Sequence, residues 1–287
     1  MPACLTRRSL VTGLSLVAAA GPAVARQRGG QDRRGLAGPP PDRVIAFGPH
    51  PLQSLQLHGE GSGPVLLFVH GGGWSQGSRT HVGNLPEFAS RHGLVLASTG
   101  YRLAPEATPA DMAADIASAI AALRAAAPGR QVWLIGHSAG AHLAALVAVA
   151  PRYLGAHGLA PADLAGVILL DGAGYDATQP RSAGLYSGMV ERMYAQAFGE
   201  NRAELSPTLL VQPGRAYPPF LIFHVARREE SAQQSRRLAE ALRAAGGEAE
   251  VVPAPADTHM TIRRDFGLVG DPEGERAAAW MLARGPR

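Results

Sequence analysis

The chain contains no lysine and only one cysteine, Cys4, among its 287 residues. Cys4 lies within the first 25 residues, which have the character of a removable signal. The mature chain would therefore have neither a thiol nor a disulfide, and its stability must come from packing. The basic residues are all arginines, scattered along the chain and not interleaved with aromatic residues, which make up only 6% of it. This distribution argues against a nucleic-acid partner.

The first 25 residues have the features of an export signal. Arg7 and Arg8 precede an apolar run over residues 10–20, and Ala23-Val24-Ala25 forms a small-x-small cleavage site. The run is too short, and too interrupted by glycine, to span a bilayer comfortably. The paired arginines favour twin-arginine export, with an ordinary secretory signal as the alternative. We expect a periplasmic or secreted protein with no stable membrane span in its mature chain.

The rest of the chain divides into a linker and one folded domain. Residues 26–43 are rich in Arg, Gly, Gln and Pro without apolar periodicity, which predicts a flexible basic linker. Residues 44–287 have the length of a single α/β domain. The segment 50–57 predicts an early antiparallel strand.

Strand-like and helix-like segments alternate from residue 65 onward, and this predicts a mostly parallel sheet with helices on both faces. The strand-like runs are 65–69, 94–98, 131–135, 166–170, 220–224 and 250–252, and the helix-like segments are 109–127, 231–245 and 273–284.

Two segments, 151–163 and 174–214, interrupt this alternation. Insertions at the carboxyl ends of strands often form lids over a site. The second segment contains a helix-like stretch over 185–198, whose larger side chains either line a small lid or pack the helix onto the body of the domain. Those side chains are Tyr186, Met189, Met193 and Tyr194.

A G-x-S-x-G pattern at Gly136–Gly140 lies between a short apolar strand and a helical segment. In this context the pattern is typical of a nucleophile elbow, in which a tight turn exposes the serine and the helix N-terminus directs amides toward it. The pattern predicts Ser138 as a nucleophile.

A second pattern, His70-Gly71-Gly72-Gly73-Trp74, follows directly on the run at 65–69. Consecutive glycines allow backbone amides to approach a substrate oxygen without interference from side chains. We expect Gly72 and Gly73, with Ala139 after the serine, to form an oxyanion hole.

A catalytic serine also needs a base and an acid that orients it. His259 follows the last strand-like run and is the only histidine after His224, which predicts it as the base. The acid is expected after the run at 220–224, where two arginines precede Glu229 and Glu230. We favour Glu230, with Glu229 and then Asp171 as alternatives; the other reading is that both glutamates cap a helix in solvent.

Together these motifs resemble the α/β-hydrolase fold, in particular the hormone-sensitive-lipase-like carboxylesterases and their kynurenine formamidase-like relatives. The matching residues are His70–Gly73, Tyr101–Glu106 and Gly136–Leu143. The resemblance implies that Ser138 attacks an acyl carbon, that His259 relays the proton, and that Tyr101–Glu106 is a structural loop behind the site. The family's usual aspartate after the seventh strand is not at its expected place.

The expected function is that of a serine esterase acting on a small-molecule ester through an acyl-enzyme, without metal or cofactor. Two alternatives remain open. The first is an arylformamidase-like amidase, and the second is a catalytically impaired hydrolase fold that only binds a ligand. The sequence does not determine the oligomeric state.

Overall fold

The computed structural model of the protein describes Met1 and residues 37–179 and 187–285. The predicted export signal lies outside the described residues except for Met1. The linker residues up to 36, and Tyr186 of the predicted lid, also lie outside them.

The described residues contain an eight-stranded sheet with the strand order β1-β2-β4-β3-β5-β6-β7-β8. Strands β1 and β2 are antiparallel to their neighbours, and the remaining six strands are parallel. The predicted fold class, a mostly parallel α/β sheet of the α/β-hydrolase type, is thereby confirmed. The strands are β1 (Arg43–Ala46), β2 (Ser54–His58), β3 (Val65–Val69), β4 (Val95–Thr99), β5 (Val132–His137), β6 (Gly166–Leu170), β7 (Phe220–Val225) and β8 (Ala249–Ala254).

Every residue of the central strands β3 to β7 is buried, which explains their uninterrupted apolar sequences. Helices cover both faces of a parallel sheet. Its strands therefore lack the alternation of apolar and polar residues that a half-exposed strand shows. The core accordingly divides into two clusters, one on each side of the sheet. Because β3 to β8 are parallel, their carboxyl ends meet along one edge of the sheet, where ligands bind in open α/β folds.

Nine α-helices lie in the described part of the chain. They are α1 (Leu85–Arg91), α2 (Pro109–Ala126), α3 (Ala139–Val149), α4 (Pro151–Gly155), α5 (Ser187–Phe198), α6 (Pro207–Leu210), α7 (Glu229–Ala244), α8 (Thr261–Arg264) and α9 (Pro272–Leu282). Helix α2 begins with a capping box in which Thr108 and Asp111 bond each other's backbone amides.

Helix α3 is buried at all eleven of its positions. Five of its eleven residues are alanine and one is glycine, and these small side chains let the helix lie close to the sheet. It packs chiefly against β5 and β6 on one side and α2 on the other. The helix therefore fixes the position of Ser138, the residue before it, at the carboxyl end of β5.

A pair of buried carboxyl groups lies at the start of α9. Asp271 caps the helix by accepting from Gly274 N at 2.8 Å, and Glu273 shares a hydrogen bond with Asp271. Burial, together with the charge of the nearby Asp257, raises the pKa of Glu273 to about 7. Glu273 is therefore protonated in the fold at a pH where it is ionised in the unfolded chain.

This pKa predicts that Glu273→Gln stabilises the protein at alkaline pH. Because the folded-state pKa is raised, stability falls as pH rises from the ordinary glutamate value toward 7. We expect the melting temperature of the glutamine variant to exceed that of the parent by roughly 3 °C or more at pH 8 and to match it near pH 4.5. Thermal unfolding at both pH values measures this. A difference that is the same at pH 4.5 and pH 8 would contradict the raised pKa.

Candidate active site

Ser138 lies at a strained turn between β5 and α3. Its backbone has φ 56° and ψ −122°, a conformation that residues other than glycine rarely adopt. The turn is so compact that a Cβ on Gly140 would lie only 2.2 Å from the carbonyl oxygen of Val69. Ser138 N donates to Leu170 O at 3.1 Å, which fixes the turn against the end of β6. These features are those of the nucleophile elbow that the sequence predicts.

The imidazole of His259 lies beside this serine. His259 sits in the loop between β8 and α8, and its Nε2 is 3.0 Å from Ser138 Oγ. Nε2 of His137 donates to the carbonyl oxygen of His259 at 2.8 Å, which holds the loop in place. Burial and the neighbouring His259 lower the pKa of His137 well below its ordinary value, so His137 is a neutral structural neighbour.

The carboxylate in contact with His259 is that of Asp171, at the end of β6. Asp171 Oδ2 lies 2.6 Å from His259 Nδ1, and the carboxyl group is fully buried. Three further donors reach it: Val225 N at 3.0 Å, Ser231 Oγ at 2.6 Å, and Nη1 of Arg228. Burial opposes ionisation, but the hydrogen bond from His259 and the charge of Arg228 outweigh it and hold the pKa of Asp171 well below its usual value. Asp171 is therefore ionised and bonds the imidazole.

The preference for Glu230 as the acid is corrected by this geometry. Glu229 and Glu230 form the first turn of α7, and the Glu229 carboxylate binds Arg236 at 2.7 Å on the surface. The residue that reaches His259 from this turn is Arg228, a cation. Asp171 is the third of the sequence-based candidates. The feature that points to it is its position directly after β6, the strand that neighbours β5, whose carboxyl end carries the serine.

Backbone strain concentrates at this edge of the sheet. In residues 37–179 and 187–285, the residues other than glycine with positive φ are Trp74, Ser138 and Asp171. Trp74 lies shortly after β3, and Ser138 and Asp171 directly follow β5 and β6, which are adjacent in the sheet. Strain of this kind persists only where surrounding structure enforces it, and it clusters at active sites.

The glycine loop after β3 passes beside the elbow. A Cβ on Gly71 would lie 2.7 Å from His137 O and 3.1 Å from Ser138 Cβ, so no side chain fits there. In the described part of the chain, no backbone carbonyl accepts from the amides of Gly72, Gly73 or Ala139. An oxyanion hole requires N–H groups that are not bonded to the protein's own carbonyls, and these three amides meet that requirement within the described residues.

Tyr101 supports the glycine loop from behind. Its ring is fully buried and stacks on His70 with centroids 4.2 Å apart. Its hydroxyl donates to His70 O at 2.6 Å, which anchors the residue before the first glycine. Tyr101 thus makes the kind of structural contact that the family resemblance implies for the loop Tyr101–Glu106.

Helix α5, within the predicted lid, packs on the residue that follows the glycines. Its Tyr194 and Phe198 are buried and make T-shaped contacts with Trp74, with ring centroids 5.2 and 4.9 Å away. Trp74 Nε1 in turn donates to His142 Nδ1 at 3.2 Å. Tyr194 therefore packs the helix onto the body of the domain.

The two methionines of α5 differ from Tyr194. Met189 is exposed, whereas the thioether of Met193 lies where a Cβ on Gly73 would be only 2.6 Å away. One side of α5 thus borders the glycine loop, and Met193 is the residue that reaches it.

A nucleophile, an imidazole and an ionised carboxylate are joined in one hydrogen-bonded series at the carboxyl ends of β5, β8 and β6. A glycine loop lies beside the nucleophile. The sheet order and this arrangement define the class of protein, which is a hydrolase fold with a serine-histidine-aspartate site.

Family comparison gives the particular family. Residues 66–263 match a family model described as alpha/beta hydrolase fold, so the chain belongs to that family. The match begins within β3 and ends within α8, and it includes all the site residues described above.

Relatives and solved structures carry names from two enzyme groups. A probable isoprenylcysteine alpha-carbonyl methylesterase of Arabidopsis thaliana is 28% identical over 77% of this chain and 51% of its own length. The chain thus spans about half of that relative. A kynurenine formamidase of Meyerozyma guilliermondii is 31% identical over 36% of this chain and 40% of its own length. Esterase 2 of Thermogutta terrifontis is 25% identical with a TM-score of 0.68, over 85% of this chain and 94% of that one.

Across the described ranges of the chain, the helices are all too short or too polar to cross a membrane.

Proposed function

We propose that the protein hydrolyses carboxylic esters of small molecules through an acyl-enzyme on Ser138. The observation that carries the proposal is the pair of contacts made by His259, with Nε2 3.0 Å from Ser138 Oγ and Nδ1 2.6 Å from Asp171 Oδ2. An Nδ1–H bonded to the carboxylate leaves Nε2 with a lone pair directed at the serine hydroxyl. This is the tautomer that a general base needs.

The mechanism has two steps. Ser138 Oγ attacks the acyl carbon while its proton passes to His259 Nε2, and the carbonyl oxygen becomes an oxyanion that the amides of Gly72, Gly73 and Ala139 bind. The intermediate collapses, the bond to the alcohol breaks, and the alcohol oxygen takes the proton from Nε2. Water then loses a proton to the same nitrogen and attacks the acyl-enzyme. Collapse of this second intermediate releases the acid and returns the proton to Ser138.

An amidase acting on N-formyl aryl substrates is the second candidate, favoured by the partial match to kynurenine formamidases. The same site serves both reactions, since only the leaving atom changes from oxygen to nitrogen. We expect kcat/KM for p-nitrophenyl acetate to exceed that for N-formylkynurenine by at least tenfold. A preference for the formamide would reverse the assignment. An ester panel of increasing acyl length, run on the mature chain, then defines the acyl preference.

Loss of chemistry is the third reading, in which the fold only binds a ligand. A fluorophosphonate probe separates it from both enzymes, because the probe reacts only with an activated serine. The buried, four-donor setting of Asp171 supports an active site. Failure of the protein to react with the probe would favour a binding role.

We also propose that the protein is exported to the periplasm or secreted. The support is the sequence of residues 1–25, with Arg7-Arg8 before the apolar run and Ala23-Val24-Ala25 after it. Fractionation of expressing cells, with and without these residues, tests it. Retention of the full-length chain in the cytosol would contradict export.

A further inference from the structure

Arg228 occupies an unusual position for a cation. It is the residue before α7, in the turn that follows β7. Its Nη1 donates to Asp171 Oδ2 and lies 2.8 Å from His259 Nδ1, and its side chain is 38% exposed. A guanidinium therefore touches both the acid and the base of the site.

The contact between Arg228 and His259 is not a hydrogen bond in the tautomer that the reaction needs. When Nδ1 carries its proton and donates it to Asp171, it has no lone pair to accept from Nη1. The two groups instead share one acceptor, Oδ2 of Asp171. Once the imidazole takes a proton from the serine, two cations share that single oxygen.

The other groups that the structure places against His259 or its carboxylate partner are neutral or cationic. Ser138 is neutral, and the neighbouring ring of His137, 4.7 Å from that of His259, has a pKa well below its ordinary value because it is buried. Arg263 of α8, a second cation, acts electrostatically on His137. Asp171 also accepts from Val225 N and Ser231 Oγ, which are neutral donors. Asp171 and Arg228 thus place two opposite charges in direct contact with His259.

We propose that Arg228 is a positioning residue whose cation, bound to the same carboxylate oxygen as His259, opposes protonation of the imidazole. It does so by sharing the charge of Asp171 and by placing its own charge against the ring. This inference rests on the proposed serine chemistry. It predicts that loss of the cation leaves the full carboxylate charge to the imidazole, which is then protonated at higher pH.

The test compares four variants by the pH dependence of two rates, kcat/KM for p-nitrophenyl acetate and the rate of fluorophosphonate labelling of Ser138. Arg228→Gln removes the charge and keeps a donor for Asp171, and Arg228→Met removes both. Arg228→Lys keeps the charge. Arg227→Gln, at the exposed neighbouring position, is the matched control because it changes the net charge equally. Thermal unfolding identifies the variants that are folded.

We expect the acid limb of both profiles to move upward by about half to one pH unit in the two neutral variants. The lysine variant and the Arg227 control are expected to keep the parental limb. If a folded Arg228→Gln or Arg228→Met variant keeps the parental acid limb, the inference is overturned, even if the variant's rate is lower at every pH. The same shift in Arg227→Gln or Arg228→Lys also overturns it. If the parent protein itself fails to react with the probe, the proposed serine chemistry fails instead.

Discussion

Replacement of Ser138 by alanine is expected to lower kcat for p-nitrophenyl acetate by about four orders of magnitude or more, and to abolish fluorophosphonate labelling. The reason is local. The hydroxyl is the atom that His259 Nε2 contacts at 3.0 Å, and its loss leaves the base without a nucleophile to deprotonate. Alanine adds no atoms to the turn, so we expect the fold and the melting temperature to change little.

Ser90→Ala provides the matched control, because it removes the hydroxyl of an exposed serine in α1. It is expected to keep parental turnover and labelling. Measurements of kcat and of probe incorporation on both variants decide the assignment. Substantial ester hydrolysis by the Ser138 variant, beyond the rate of the uncatalysed reaction, would remove Ser138 from the mechanism.

The second large effect concerns the acid. Asp171→Asn is expected to lower kcat by about three to four orders of magnitude, because an amide cannot enforce the Nδ1–H tautomer or stabilise the imidazolium. The buried carboxylate also binds Val225 N, Ser231 Oγ and Arg228. The variant therefore needs a measured melting temperature beside its rate, so that lost catalysis is separated from unfolding.

Glu230→Gln makes the same chemical change at the second residue of α7 and is expected to alter kcat by less than about twofold. The comparison of the two amide variants discriminates between the acid that the sequence favoured and the acid that the structure places against His259. A large loss in Glu230→Gln with a mild effect in Asp171→Asn would reverse the choice.

Most of the sheet and two members of the candidate site are readable from the sequence. Uninterrupted apolar runs predict β3 and β6 to the residue, because a strand covered on both faces has no polar positions. The spacing of Met112, Ile116, Ile120 and Leu123 predicts α2, and all four side chains are buried. Ser138 and His259 come from motifs with a fixed order along the chain, and the structure places them in contact.

The identity of the acid in contact with His259 could not be predicted from the order of residues along the chain. The ends of β6 and β7 are neighbours, so a carboxylate from either strand is a candidate partner for a histidine that follows β8. The choice depends on side-chain length and on the positive φ of 43° at Asp171, neither of which has a periodic signature. Short helices such as α1 and α4 escape prediction for a related reason, since five to seven residues are too few to establish a repeat.

The complete burial of α3 has a consequence for redesign. With no face open to water, the helix cannot absorb added volume by turning a side chain outward, and interiors packed to this density transmit strain. An enlarged residue such as Leu at Ala144 would push back along the helix toward the turn that presents the hydroxyl. Changes of side-chain volume are easier to accommodate at Met193, which borders Gly73, is only partly buried and has a flexible thioether.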